Sequence, residues 1–112
     1  MTITEQELKI VRDIIGSIIP ECTVKVFGSR HHGTTKKYSD LDLAFVCSDR
    51  LGMRRTAQLV DAFSESDLPY RVDVVDYATA SQEFRAIIDA DCRVIYSGFP
   101  SDSASGLLGP RT

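Results

Sequence analysis

Three acidic residues and a Gly-Ser dipeptide carry the chemistry that this sequence predicts. Gly28 and Ser29 are followed, after ten intervening residues, by Asp40-Leu41-Asp42. Successive side chains of an extended strand point to opposite faces, so Asp40 and Asp42 project to the same side. Neighbouring carboxylates repel, and each resists ionisation beside the other. A divalent cation relieves this repulsion, and hard oxygen ligands suit Mg²⁺ that carries the phosphates of a nucleotide.

The Gly-Ser turn and a third carboxylate complete the predicted site. The turn offers backbone N–H groups that approach a phosphate closely, and a hydroxyl that donates to it. Asp73 lies in another strand-like run, residues 71–75. If this strand neighbours the one with Asp40 and Asp42, and turns the same face up, the three carboxylates converge. The combination predicts a nucleotidyl-transfer site. For an isolated Asp-x-Asp pair, the favoured alternative is that the first Asp starts a strand and the second faces water.

Length and composition limit the remaining possibilities. The chain has 112 residues, enough for one domain, with 43% hydrophobic and 26% charged residues. The net charge of −3 argues against direct nucleic-acid binding, which favours a basic face. No apolar run could span a bilayer and no signal peptide is visible, so we expect a cytoplasmic protein without a membrane partner. Cys22, Cys47 and Cys92 are expected to be buried free thiols.

Hydrophobic periodicity predicts helices that alternate with strands. The predicted extended segments cover residues 22–27, 40–47, 70–76 and 92–96, the last as a strand or an extended arm. Because the first two strands connect directly through the Gly-Ser loop, the fold class is α+β, a small mixed sheet with helices packed mainly on one face. The domain is expected to span residues 1–97. The Ser/Gly/Pro-rich tail, 98–112, is expected to be disordered or to order only against a partner.

Three predicted helices frame the strands. Capping boxes at Thr4 and Thr79 open the first and third helices, and Pro20 ends the first. Helical spacing predicts which side chains of the second and third helices face the core: Met53, Ala57, Val60 and Phe63, then Phe84, Ile87 and Ile88.

This pattern resembles the nucleotidyltransferase fold of the DNA polymerase β superfamily. Within it, the chain is similar to the minimal nucleotidyltransferases that serve as antitoxins beside HEPN-domain toxins. The resemblance covers residues 5–97 and is carried by these segments: Gly28-Ser29-Arg30, Gly33, Ser39-Asp40-Leu41-Asp42-Leu43, Asp73 within 71–76, Glu83-Phe84-Arg85 and Val94-Ile95-Tyr96. At His31 the loop departs from the small residue common in the family.

The resemblance implies roles for the matching residues. It implies that Asp40, Asp42 and Asp73 are catalytic and hold two Mg²⁺ ions. It further implies that the ATP phosphates are bound by the loop residues Gly28, Ser29, Arg30 and Ser39.

The implied activity is adenylyl transfer from ATP to a tyrosine of a HEPN-type RNase toxin, in a heteromeric complex that silences the toxin. Two alternatives remain open at this stage. The chain could neutralise its partner by steric binding alone, with a vestigial nucleotide pocket. It could also be the catalytic subunit of a two-component nucleotidyltransferase that acts on a small molecule or an RNA end. The sequence leaves homo-oligomerisation open.

Overall fold

Three helices and four strands make up the part of the chain that the structure describes, as the hydrophobic periodicity predicts. The computed structural model describes residues 3–28 and 40–98. The elements are α1 (Glu5–Ile18), β1 (Thr23–Phe27), β2 (Leu41–Val46), α2 (Gly52–Ser64), β3 (Val72–Asp76), a short 3₁₀ turn (Tyr77–Thr79), α3 (Gln82–Ala90) and β4 (Cys92–Tyr96).

The strands form one mixed sheet in the order β3-β2-β1-β4. Strand β1 pairs antiparallel with β2 and with β4, whereas β2 and β3 are parallel. A parallel pair needs a crossover connection, and α2 supplies it. The predicted mixed sheet is therefore confirmed, and β3 lies at one edge of the four strands.

Helices cover both faces of the sheet unequally. Helices α1 and α2 pack on one face, where Ile15 and Leu59 join Leu43 in the main core. On the other face, Ile88 of α3 packs against Phe27 and Ala44 in a smaller cluster. The prediction that helices lie mainly on one face holds for two of the three helices in the described part.

Capping matches the prediction for α1 but not for α3. The Thr4 hydroxyl accepts a hydrogen bond from the Glu7 N–H at 3.1 Å, and the Glu7 carboxylate accepts one from the Thr4 N–H at 3.1 Å. The predicted capping box at Thr79 is wrong, because Thr79 ends the 3₁₀ turn. The cap of α3 is Ser81, whose hydroxyl accepts from the Phe84 N–H.

The predicted buried stripe of α2 is largely wrong. Met53 is 90% exposed and Val60 is 44% exposed, whereas Leu59 and Phe63 are buried. The helix carries two apolar rows at helical spacing, and only packing against the sheet decides which of them faces inward. The row through Leu59 makes this contact, and Ala57 is exposed with Met53.

The inward-facing set of α3 also needs one correction. Ile88 is fully buried, but its neighbour Ile87 is 64% exposed. Adjacent residues of a helix lie about 100° apart, so a helix that packs on one narrow side buries only one of them.

The cysteine prediction is wrong for two of the three residues. Cys22 and Cys47 form a disulfide, whereas Cys92 is free as predicted but only partly buried. The antiparallel register pairs Thr23 with Val46. The next residue outward on each strand is a cysteine, so the two lie across from each other with Cα atoms 4.6 Å apart. Sequence spacing alone does not show this register.

Breaking the Cys22–Cys47 bond should lower the melting temperature. The disulfide joins residues 25 positions apart. A disulfide that closes a loop of this size stabilises a fold by about 3 kcal/mol, which corresponds to a rise in melting temperature of roughly 10–20 °C in a chain of this length. Calorimetry with and without a reductant measures the difference, and Cys92→Ser is the control because Cys92 lies outside the bond. An unchanged melting temperature on reduction would contradict the expectation.

Two further sequence predictions concern the ends of the chain and membranes. From Phe99 onward, the predicted tail lies outside the described residues, so its disorder stays a prediction. Among the helices in the described ranges, none is long and apolar enough to cross a membrane.

Candidate active site

Two of the predicted site residues face each other across the parallel strand pair. Asp42 of β2 is the register partner of Asp73 of β3. Leu41 and Leu43 are fully buried in the main core, so alternation turns the intervening Asp42 to the opposite face. Val72 is also buried in the main core, which turns Asp73 to the same face as Asp42. This is the parity that the sequence requires of the two strands.

The local electrostatics raise the pKa of Asp42 to about 6. Partial burial of its carboxyl group is the largest cause, followed by the charge of Asp73, a hydrogen bond to the Asp73 side chain and the charge of Asp40. A carboxyl group can donate a hydrogen bond to another only while it is protonated. In the absence of a cation, Asp42 therefore keeps its proton to a higher pH than an ordinary carboxyl group, up to about pH 6.

Arg71 contacts the other two carboxylates of the site. Its Nη2 atom lies 3.4 Å from Asp73 Oδ1 and 3.6 Å from Asp40 Oδ2. Arg71 is not among the site residues predicted from the sequence. The available signal was its spacing: residues i and i+2 of an extended segment share a face, so Arg71 lies on the side of Asp73.

Gly28 follows β1 beside Asp42 and has a positive φ of 82°. A Cβ atom at this position would overlap Oδ2 of Asp42. Both constraints favour glycine, which lacks the Cβ atom and adopts positive φ readily. Gly28 thus lies close to the Asp42 carboxylate, and its role in phosphate binding stays a prediction.

Gly28→Ala should destabilise the fold and displace the Asp42 side chain. An alanine at positive φ, combined with the steric overlap, costs about 1–3 kcal/mol, or a fall of roughly 5–15 °C in melting temperature. Gly16→Ala is the matched control, because its added Cβ meets Tyr96 Oη at an ordinary 3.6 Å. In the helix that variant should gain up to about 1 kcal/mol. Equal melting temperatures for the two variants would refute this account of Gly28.

The other predicted phosphate-binding residues lie outside the described part of the chain. These are Ser29, Arg30 and Ser39, together with His31. Their roles stay predictions.

The carboxylates offer the oxygen donors that a hard divalent cation requires. Asp42 and Asp73 are adjacent, and a cation between them would relieve the repulsion that, together with the larger effect of burial, raises the Asp42 pKa. Within residues 3–28 and 40–98, no set of three acidic, His or Cys side chains is already gathered as a metal-binding group. Asp40 instead pairs with Arg71. The residues thus fit a metal site that is completed by other ligands, such as nucleotide phosphates or a reoriented Asp40.

Comparison with known protein families supports this fold. Residues 22–99 match the family model described as polymerase beta, nucleotidyltransferase, so the chain belongs to this family. The family implies a nucleotide substrate and the use of a metal.

One curated relative is similar over most of its length. It is the "Probable protein adenylyltransferase MntA" of Haemophilus influenzae, 50% identical over 88 residues, which make up 79% of this chain and 77% of the relative. The chain is thus a homologue of MntA, and the predicted resemblance to minimal nucleotidyltransferases is confirmed.

Solved structures share the fold. A toxin–antitoxin crystal structure with AMP-PNP matches 85% of this chain and 76% of its own, with a TM-score of 0.71 and 25% identity. A second match lies in the structure of a tri-AMPylated Shewanella oneidensis HEPN toxin in complex with an MNT antitoxin, and it covers 80% of this chain and 69% of the matched chain. There the TM-score is 0.63 and the identity 21%, a likeness of fold.

Proposed function

We propose that this chain transfers AMP from ATP to a HEPN-type RNase toxin in the cytoplasm and thereby acts as its antitoxin. The metal we propose is Mg²⁺, held by Asp42 and Asp73 with Asp40 as a further ligand. The observation that carries the proposal is the register pairing of Asp42 with Asp73 beside Gly28.

The relatives support this choice of donor, acceptor and partner. The curated relative is named as a probable protein adenylyltransferase. One neighbour is a toxin–antitoxin structure with AMP-PNP, and another contains an AMPylated HEPN toxin. A small nucleotidyltransferase domain with a protein acceptor needs no separate domain to bind that acceptor.

The proposed reaction is an in-line displacement at the α-phosphorus of ATP. A hydroxyl oxygen of the toxin gives up its proton to solvent and forms a bond to the α-phosphorus, the bond to the β-phosphate oxygen breaks, and pyrophosphate leaves. Bound Mg²⁺ would stabilise the charge that develops on the attacking and leaving oxygens. Gly28 has no side chain and so leaves the space beside Asp42 open. Asp73, on the edge strand, is the carboxylate that we place closest to the attacking hydroxyl of the toxin.

The proposed compartment has a consequence for the Cys22–Cys47 bond. Cytoplasmic thiols are mostly kept reduced, so the bond would be open to reduction there. The catalytic carboxylates do not depend on this bond, because they lie toward the other end of the β1–β2 pair, where Phe27 faces Asp42.

Transfer should label the toxin from the α-phosphate of ATP and not from the γ-phosphate. The purified chain is incubated with its partner toxin, Mg²⁺ and ATP that carries the label at either position. Intact-mass measurement should show an added AMP, and the modified toxin should lose RNase activity.

Two outcomes would overturn the catalytic proposal. Label from the γ-phosphate would indicate phosphorylation instead. If the chain inhibits the RNase without labelling the toxin, and Asp42→Asn inhibits it equally well, the chain acts by binding alone.

A further inference from the structure

Arg71 occupies a position that suits an internal counter-ion. It directly precedes β3, and its carbonyl oxygen accepts a hydrogen bond from the Leu41 N–H at 2.8 Å. This bond fixes the Arg71 backbone beside the start of β2. From there its guanidinium reaches Asp73 at 3.4 Å and Asp40 at 3.6 Å.

The three side chains of this cluster remain accessible to water. The Arg71 side chain is 75% exposed, and those of Asp40 and Asp73 are 41% and 39% exposed. Exposed ion pairs are weak and hold their side chains loosely. Arg71 can therefore leave the carboxylates at small cost when a stronger cation arrives.

We propose that Arg71 competes with the divalent cation for Asp40 and Asp73 and is displaced when the metal binds. In the absence of metal, the single positive charge of the guanidinium pairs with two carboxylates of a cluster that would otherwise hold three like charges. Any cation that enters must break both ion pairs. Arg71 thus weakens the binding of free metal, and its removal should tighten that binding. The inference rests on the proposed function only in placing a metal at these carboxylates.

Direct titration of the nucleotide-free protein with Mn²⁺ tests the competition. Mn²⁺ is the probe because its free form gives a paramagnetic resonance signal that disappears on binding. Arg71→Gln should bind Mn²⁺ about 3- to 10-fold more tightly than the wild type, the range expected when two exposed ion pairs no longer have to break. Arg71→Lys keeps the charge and should stay within about twofold of the wild type.

A matched variant separates this effect from a change in total charge. Arg93→Gln removes the same charge from an exposed position on β4, two strands away from β2. It should leave the Mn²⁺ affinity within about twofold of the wild type.

Three outcomes would overturn the proposal. Equal or weaker Mn²⁺ binding by folded Arg71→Gln would exclude competition, because a purely structural role would not make binding tighter. An equal gain in Arg93→Gln would assign the effect to net charge. Absence of Mn²⁺ binding in the wild type and in every variant would show that these carboxylates bind no divalent metal. If Arg71→Gln binds Mn²⁺ more tightly but the wild type transfers no AMP, this inference holds and the proposed function is wrong.

Discussion

Asp42→Asn should reduce the rate of AMP transfer by about 10³-fold or more. The substitution removes the carboxylate that lies directly opposite Asp73 and that would share the metal with it. An amide oxygen is a neutral and weaker ligand for a hard cation. The rate is measured from the added AMP on the toxin at saturating ATP and Mg²⁺. Asp67→Asn makes the same chemical change at an exposed loop position and should keep the wild-type rate.

The same variant should be more stable than the wild type when no ligand is present. The pKa of Asp42 is raised from 3.8 to about 6 by burial and by its acidic neighbours. Its protonated form thus favours the fold at low pH, and this contribution is lost as the pH rises through about 6. Asparagine does not ionise and so avoids this loss of stability. At pH 8 the free energy of unfolding of the variant should therefore exceed that of the wild type by about 1–2 kcal/mol, after allowance for solvent screening. An inactive variant that is also less stable would point to a folding defect instead.

Divalent-metal affinity should fall about tenfold for each pH unit below 6. The metal binds the ionised carboxylate, and the raised pKa of Asp42 means that a proton competes with the metal below about pH 6. Above pH 7 the affinity should level off. Calorimetric titration with Mg²⁺ in the presence of AMP-PNP, between pH 5 and pH 8, measures this dependence.

Asp42→Asn provides the control for this titration as well. The variant should bind metal weakly, and its residual affinity should lack the break near pH 6. A wild-type affinity that stays constant down to pH 5 would show that Asp42 is not among the metal ligands.

Strand parity is the part of the site that the sequence predicts well. Alternation alone turns Asp42 away from the buried Leu41 and Leu43, and the same argument holds for Asp73 on its own strand. The period of two is a local property of an extended backbone, so it needs no knowledge of partners. The order of the strands in the sheet depends on long-range contacts, and only the family resemblance predicts it.

Apart from the capping residue of α3, the wrong predictions share one physical cause, which is dependence on long-range packing. The α2 helix has apolar rows through Met53 and through Leu59, and only contact with the sheet selects the second. The pairing of Cys22 with Cys47 depends on the β1–β2 register. Arg71 was missed as a site residue because its interactions with the carboxylates are visible only in three dimensions.

The central claim is that Asp42 and Asp73 together hold the metal. Crystals of the chain grown with Mn²⁺ and AMP-PNP test it directly, because manganese scatters anomalously. We predict an anomalous peak with carboxylate oxygens of both residues at about 2.0–2.4 Å. A peak held by the nucleotide alone, with Asp73 turned away from it, would contradict the account.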